Sequence, residues 1–280
     1  MIATNAEVGT AAGVPCVVVP PEGGGRRSGA GLDPSGRTDA PVVVGWHLMD
    51  APRSEAAFAA ALPLAGLDAW KVYLGLPMMG ARLPEGGMDE VMRRGYEDAV
   101  LLVHGPVNAQ AADEFDAALT ALRERYGITG PLGLFGGSAG AGVALEVATR
   151  RSDVAALVAV SPMVALRPVV SVLGTLFGVD YRWSPESDAV AARMDYPARA
   201  AELGTTPLRL IVGSEDDPSA FLEPARDLAE AVAGPADVVV VDGMGHALAE
   251  EPGLEPAPQT PHAAEVDAHA VAWFRQHLAP

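Results

Sequence analysis

The sequence predicts an α/β fold with a mostly parallel sheet and helices on both faces. Short valine-rich runs, such as residues 41–46 and 154–160, alternate with longer amphipathic stretches. This alternation is typical of βα units, in which a helix crosses over between parallel strands. The chain has 280 residues, of which 49% are hydrophobic, and shows no repeat of the solenoid or propeller kind. We therefore expect a single α/β domain over residues 1–280.

The first strand is predicted from the run Val14 to Val19. Pro15 interrupts this run and Pro20 closes it. Proline donates no hydrogen bond to a ladder, so this run favours a strand at the edge of the sheet. Residues 21–40 are rich in glycine, proline, serine and arginine, and predict a mobile loop.

The remaining elements alternate between strands and helices. Residues 41–46 form a continuous β-branched run, typical of a strand that is buried on both faces. A helix is expected to run from a cap at Ser54 to Ala65, with Gly66 ending it. Further strands are predicted at 69–74, 131–135, 154–160, 208–212 and 237–241, and further helices at 88–103, 108–126, 139–150, 219–233 and 263–278.

An apolar segment interrupts this alternation after the strand at 154–160. Residues 166–183 are apolar and are broken by Gly174 and Gly178. A crossover helix, capped by Ser187 and kinked at Pro197, is expected to follow as far as residue 203. Exposed apolar segments usually mark a binding surface. Residues 165–190 are therefore expected to form a small lid, or alternatively a dimer contact.

Composition argues against several classes of function. The chain has 19 Lys+Arg against 36 Asp+Glu, a formal net charge of −17, which disfavours binding to nucleic acid or to an anionic membrane. Cys16 is the single cysteine, so neither an internal disulfide nor a zinc cluster is expected. No signal peptide and no apolar run of about 20 residues is present, which predicts a cytoplasmic protein. The sequence leaves the oligomeric state open, and a homodimer through the last helix or the apolar insertion is compatible with it.

The most informative segment lies between a predicted strand and a predicted helix. It reads Gly-Gly-Ser-Ala-Gly over residues 136–140, which matches the pattern Gly-x-Ser-x-Gly. Small residues are needed around Ser138 if it sits on a sharp strand-to-helix turn, and the helix N-terminus behind it favours an oxyanion. A phosphate-binding turn fits poorly, because Ser138 replaces the second glycine of Gly-x-Gly-x-x-Gly and no Gly-Lys-Ser/Thr follows. Ser138 is thus predicted to be a nucleophile.

A serine nucleophile needs a base and a carboxylate that orients the base. The strand at 208–212 runs into a loop with Asp216 and Asp217, and the strand at 237–241 runs into a loop with His246. Because parallel strands end at one edge of a sheet, these groups are expected beside Ser138. Asp216, on the crest of its loop, is the preferred acid. Asp217 directly precedes Pro218, which suits a helix cap, and is the alternative.

These three loops resemble those of the α/β-hydrolase superfamily, in the family's order Ser, Asp, His. The resemblance extends from about residue 14 to residue 278 and implies an eight-stranded, mostly parallel sheet. It implies an esterase-like serine hydrolase that works through an acyl-enzyme, with no cofactor and no metal. Ser138 would be the nucleophile, His246 the base and Asp216 the acid. A haloalkane dehalogenase is disfavoured because its nucleophile is an aspartate. A dienelactone-hydrolase-like reaction is possible by fold, although it usually employs a cysteine at this turn.

The family's oxyanion loop commonly reads His-Gly-x after the third strand. Here that place reads Trp-His-Leu-Met over residues 46–49, with Leu48 where glycine is usual. The segment around His104 matches His-Gly better, but only one helix and one strand separate it from Ser138, whereas the family places a further βα unit there. The resemblance therefore assigns the oxyanion to the backbone N–H groups of Ala139 and Met49.

Methionines follow several of the predicted strand ends, where the substrate would lie. Methionine is flexible and polarizable and suits apolar surfaces that must adapt. With aromatic residues of the insertion, these side chains are expected to line a pocket for uncharged ester substrates of short to medium chain length. The predicted pocket residues are Leu48, Met78, Met163, Phe177, Trp183 and Met244. A thioesterase, a small peptidase, an acyltransferase or a non-catalytic ligand-binding protein of the same fold are the alternatives.

Overall fold

The computed structural model describes residues 3–22, 27–28, 31–32 and 38–278. Its strands are β1 (Glu7–Ala11), β2 (Val14–Val19), β3 (Arg27–Ser28), β4 (Gly31–Leu32), β5 (Val42–Trp46), β6 (Trp70–Leu74), β7 (Leu132–Gly137), β8 (Val154–Val160), β9 (Leu208–Gly213) and β10 (Ala236–Val241).

The main sheet has eight strands in the order β1-β2-β6-β5-β7-β8-β9-β10. Strands β6, β5, β7, β8, β9 and β10 are parallel to one another, whereas β2 is antiparallel to both of its neighbours. The predicted α/β fold with a mostly parallel, eight-stranded sheet is confirmed. Because the strands are parallel, the loops after β5, β7, β9 and β10 leave the same edge of the sheet.

Helices cover the sheet on both faces. They are α1 (Glu55–Ala61), α2 (Gly87–Ala99), α3 (Gly105–Tyr126), α4 (Ala139–Thr149), α5 (Leu166–Phe177), α6 (Pro185–Arg193), α7 (Glu223–Ala231) and α8 (Pro261–His277). Helices α1 and α8 contribute Phe58 and Phe274 to a buried cluster on one face. Helices α3, α4 and α7 contribute Phe115, Leu145 and Leu228 to the cluster on the other face. Burial on both faces explains the continuous valine runs of the central strands.

Residues Val14 to Val19 form a strand, but the prediction that it lies at the sheet edge is wrong. Strand β1 continues the sheet beyond it. Pro15 lies opposite Thr10 of β1, and the ladder between β2 and β6 begins only at Cys16. Two residues after the tight turn, Pro15 occupies a non-hydrogen-bonded position of the β1–β2 hairpin, so its missing N–H breaks no hydrogen bond of that hairpin. Strand β1 was not predicted because it lacks a continuous apolar run.

Helix α1 ends at Ala61 and not, as predicted, at Ala65. Ser54 caps it as predicted, because its Oγ accepts a hydrogen bond from the N–H of Ala57 at 3.1 Å. At the other end, Leu62 precedes Pro63, and the residue before a proline is disfavoured in the helical conformation.

The two helices predicted between residues 88 and 126 follow one nearly continuous path, and the break lies at an unexpected residue. Asp98 has non-helical backbone angles, φ −160° and ψ 96°. Its carboxylate accepts hydrogen bonds from the N–H groups of Val100 and Leu101, at 3.1 and 2.8 Å. A wider helical turn then joins α2 to α3, and Pro106 is tolerated in the first turn of α3. Asp98 restarts the helix by capping it.

The apolar insertion folds into α5 and the beginning of α6. The predicted bounds of the crossover helix are wrong, because Ser184 and not Ser187 caps it. Ser184 Oγ accepts from the N–H of Ser187 at 3.2 Å, and Ser187 Oγ accepts from the N–H of Ser184 at 2.8 Å. This reciprocal capping box starts the helix at Pro185, and the helix ends at Arg193 before it reaches Pro197.

The predicted mobile loop at residues 21–40 falls largely outside the described residues. Within it, β3 pairs with β4 in antiparallel orientation. In the part of the chain that the structure describes, none of the helices combines the length and the apolar character needed to cross a membrane.

Candidate active site

Ser138 connects β7 to α4 through a sharp turn at the carboxyl edge of the sheet. Its backbone angles are φ 50° and ψ −114°, a conformation that residues with a side chain rarely adopt. The N–H of Ser138 donates to the carbonyl oxygen of Val160 at 2.9 Å, which fixes the turn to the end of β8. The turn presents the serine hydroxyl, partly exposed, at the start of α4.

Two glycines of the motif permit this turn. A Cβ at Gly136 would lie 2.3 Å from the carbonyl oxygen of Gly140, and a Cβ at Gly140 would lie 2.3 Å from the carbonyl oxygen of Trp46. Both obstacles are backbone atoms, which cannot move aside as a flexible side chain can. The small residues of the motif are thus a steric requirement of the turn.

A chain of hydrogen bonds joins the side chains of Ser138, His246 and Asp216, which the sequence predicts to be the nucleophile, the base and the acid. Ser138 Oγ donates to Nε2 of His246 at 2.8 Å, and Nδ1 of His246 donates to Oδ2 of Asp216 at 2.8 Å. A carboxylate acceptor places the imidazole proton on Nδ1 and directs the lone pair of Nε2 at the serine hydroxyl. The Asp216 side chain is 5% exposed and that of His246 is 20% exposed, so solvent reaches the imidazole but hardly its carboxylate.

Asp217, the alternative to Asp216, has a different set of partners. Its Oδ1 accepts hydrogen bonds from the N–H groups of Ser219 and Ala220, at 2.9 and 3.1 Å, and from the hydroxyl of Ser219 at 2.6 Å. These bonds make Asp217 the cap of a helical turn over residues 218–222. Asp216 accepts from the N–H of Asp217 at 2.9 Å through Oδ1, which leaves Oδ2 for the histidine.

The loops that carry Asp216 and His246 are fastened to each other and to β8. The N–H of Glu215 donates to the carbonyl oxygen of Met244 at 2.9 Å. Ser161 is fully buried after β8, and its hydroxyl donates to the carbonyl oxygen of His246 at 3.1 Å. Sequence reasoning missed Ser161, whose position directly after a buried strand was the available signal.

Phe221 is a second neighbour of the histidine that sequence reasoning missed. Its ring centroid lies 4.4 Å from that of the His246 imidazole, with the two planes inclined by 43°. Phe221 is 8% exposed and belongs to the buried cluster on the α3 and α4 face. Its place in the chain shortly after Asp216 gave no sign of this contact, which depends on how the turn after Asp217 is wound.

His47 organises the loop after β5 from a fully buried position. Its Nδ1 donates to the carbonyl oxygen of Leu48 at 2.6 Å, and its Nε2 accepts from the N–H of Leu76 at 3.1 Å. Burial lowers the pKa of His47 to about 4, so the ring stays neutral, as one donating and one accepting nitrogen require. The ring joins the loop after β5 to the loop after β6.

The loop after β5 packs closely against the serine turn. A Cβ at Gly137 would lie 2.2 Å from Cδ1 of Leu48, and Gly140 approaches the carbonyl oxygens of the same loop. Met49 is the next residue of this loop and is partly buried. Ala139 is the first residue of α4, so its N–H has no partner within the helix. The segment around His104, by contrast, lies in the helical turn between α2 and α3 and not in a strand-end loop.

Three residues predicted to line the substrate pocket belong to the hydrophobic core instead. Leu48 and Met244 are 0% exposed and Met163 is 2% exposed. Leu48 fills the space above Gly137, and Met163 packs beside Gly142 of α4. The prediction is wrong for these three residues because the loops turn their side chains down toward the sheet, where apolar surface is removed from water.

The other predicted pocket residues are only partly buried or are exposed. Met78 is partly buried against the core. Phe177 is 46% exposed, and its ring contacts that of Tyr96 on α2 with centroids 5.8 Å apart. Trp183 is partly buried, and its ring lies 4.9 Å from that of Tyr181. The hydroxyl of Tyr181 donates to Asp98 at 2.7 Å, which attaches the insertion to α2.

Comparison with known proteins shows likeness in structure and not in sequence. No family model matches the chain, and no curated protein matches it. A dienelactone hydrolase from Anabaena variabilis is 18% identical, with a TM-score of 0.59, and the match covers 98% of this chain and 100% of that one. Est1E from Butyrivibrio proteoclasticus is 13% identical, with a TM-score of 0.62 and coverage of 99% and 100%. A hormone-sensitive lipase from a metagenome library is 19% identical, with a TM-score of 0.60 and coverage of 100% and 86%. In the arrangement of its sheet and helices, this chain has the α/β-hydrolase fold.

Proposed function

We propose that this protein is a serine hydrolase that cleaves carboxylic esters of small molecules through an acyl-enzyme on Ser138. The observation that carries the proposal is the hydrogen-bonded chain from Ser138 through His246 to Asp216, with 2.8 Å at each link. The strained backbone of Ser138 adds support, because such strain is concentrated at functional sites. The fold, which the chain shares with a dienelactone hydrolase and a lipase, is a hydrolase fold.

In the acylation half of the proposed reaction, Ser138 Oγ attacks the ester carbonyl carbon while its proton passes to Nε2 of His246. Asp216 keeps the proton on Nδ1 and stabilises the imidazolium that forms. The N–H groups of Ala139 and Met49 donate to the oxyanion, and the N-terminus of α4 favours its negative charge. The carbon–oxygen bond to the leaving group then breaks, and the imidazolium gives its proton to the departing alcohol.

In the deacylation half, water attacks the acyl carbon while Nε2 of His246 accepts a proton from it. The second tetrahedral intermediate expels Ser138 Oγ, which takes the proton back from the imidazolium. One ester and one water thus yield one carboxylic acid and one alcohol. The balance needs no co-reactant besides water, and the three side chains return to their starting protonation states.

We expect the enzyme to prefer uncharged esters of short to medium acyl chain. Met49 and Met78, both at the carboxyl edge of the sheet, and Phe177 and Trp183 of the insertion offer apolar contacts. The net charge of −17 disfavours anionic acyl groups. The measurement is kcat/KM for p-nitrophenyl esters from acetyl to dodecanoyl, beside esters of matched length with a terminal carboxylate. A clear preference for the charged series would contradict the apolar pocket.

The same acyl groups offered as thioesters and anilides identify the bond that is cleaved. Higher kcat/KM on esters is the expected result. Faster cleavage of thioesters would make the protein a thioesterase, and transfer of the acyl group to an added alcohol faster than to water would make it an acyltransferase. Absence of turnover on all three bond types would favour a ligand-binding protein.

A further inference from the structure

The turn that follows Asp216 is wound tightly by its neighbour Asp217. The Asp217 carboxylate accepts from the N–H groups of Ser219 and Ala220, at 2.9 and 3.1 Å, and its backbone carbonyl accepts from the N–H of Phe221 at 3.0 Å. These bonds turn the chain back toward the carboxyl edge of the sheet. The side chain of Phe221 consequently meets the imidazole of His246.

The side chain of Phe221 is held by packing at its position beside this imidazole. Its ring is 8% exposed, and its turn packs against α5 of the apolar insertion. The two ring centroids are 4.4 Å apart. This distance is within the range, about 6 Å, over which a cation is attracted to an aromatic ring.

The hydrogen bonds of His246 leave one motion of its ring undetermined. Nδ1 and Nε2 are each held at 2.8 Å, by Asp216 and Ser138, but the ring can still tilt about the line through these two atoms. Such a tilt turns the Nε2 lone pair out of line with the serine proton. Contact with the Phe221 ring on one face of the imidazole limits this tilt. The π electrons of Phe221 also favour the imidazolium that acylation produces.

We propose that Phe221 is a positioning residue for His246, an inference that rests on the proposed serine-hydrolase function. Phe221 touches neither substrate nor reacting atoms. It acts by keeping the imidazole aligned between Asp216 and Ser138 and by stabilising its charged form. Asp216 thus binds the imidazole directly, whereas Asp217 stabilises the turn that carries the Phe221 ring.

The test compares Phe221→Leu, which keeps an apolar side chain, with Phe221→Tyr, which keeps the ring. Phe274→Leu, a change to a fully buried phenylalanine of α8 away from the site, is the matched control. With p-nitrophenyl acetate we expect Phe221→Leu to lower kcat about tenfold with KM within about twofold, as for the loss of one positioning contact. Phe221→Tyr should stay within about twofold of the unchanged protein, and Phe274→Leu should keep its kcat. Proton NMR of the His246 Nδ1–H should show a changed chemical shift in Phe221→Leu alone.

The outcomes separate this inference from the proposed function. If the protein without substitutions hydrolyses no ester, the proposed function and the role of Phe221 are both refuted. Active protein with an undiminished kcat in folded Phe221→Leu overturns the role of Phe221 alone, as does an equal loss in Phe221→Tyr. A rise in KM at constant kcat would place Phe221 in substrate binding and also overturn it. If Phe221→Leu does not fold, Phe221→Met is the substitute with the same expected result.

Discussion

Replacement of Ser138 by alanine should abolish ester turnover, with kcat lowered by about 10⁵ to 10⁶. The change removes the attacking oxygen, and among the described residues the hydrogen bonds of the His246 ring lead to no other hydroxyl that could replace it. Alanine has no greater steric difficulty than serine at the backbone angles of this turn, so the fold should remain, with a change of about 1 kcal/mol in unfolding free energy. The measurement is kcat on the most active ester of the chain-length series, together with thermal unfolding.

Ser171→Ala, at an exposed serine of α5, is the matched control and should retain full activity. A small residual rate in Ser138→Ala, about 10³ over uncatalysed hydrolysis, is expected from substrate binding and the oxyanion donors. Turnover near that of the unchanged protein would mean that Ser138 is not the nucleophile, and the mechanism above would be wrong.

Replacement of Asp216 by asparagine should lower kcat by about 10⁴, whereas Asp217→Asn should change it by less than about twofold. An amide at position 216 can donate its N–H to Nδ1, which moves the imidazole proton to Nε2, so that no lone pair is left to accept the proton of Ser138. The Asp217 carboxylate instead accepts hydrogen bonds from the N–H groups and the hydroxyl of its own turn. Asparagine is as good a helix cap as aspartate and keeps this turn intact.

The comparison of the two variants identifies the acid directly. Both are to be assayed for kcat on the same ester and for thermal unfolding, so that loss of activity is separated from loss of fold. Equal losses, or a larger loss in Asp217→Asn, would contradict the assignment of Asp216 as the partner of the histidine.

The mostly parallel sheet and the three loops of the candidate site were predictable from sequence for one physical reason. Ser138, Asp216 and His246 each lie in a loop directly after a strand of a parallel sheet, and the carboxyl ends of such strands share an edge. The small residues around Ser138 also predict its sharp turn, because a Cβ at Gly136 or Gly140 would collide with backbone atoms.

Other features depend on tertiary contacts that no local pattern carries. A position after a strand does not tell whether a side chain turns toward solvent or toward the sheet, which is why Leu48 and Met244 were misplaced. The contact of Phe221 with His246 and the hydrogen bond from Ser161 to the same loop join segments far apart in the chain. Pro15 predicts an edge strand, although a position that is non-hydrogen-bonded in the β1–β2 hairpin accommodates proline inside the sheet.

The activation of Ser138 is tested most directly by treating the purified protein with a fluorophosphonate and locating the adduct by peptide mass spectrometry. The reagent reacts with an activated serine and needs no knowledge of the natural ester. We predict a phosphonylated peptide that contains Ser138 and is absent when Ser138→Ala is treated in the same way. Folded protein that remains unlabelled, or that carries the adduct on another serine, would contradict the proposed nucleophile.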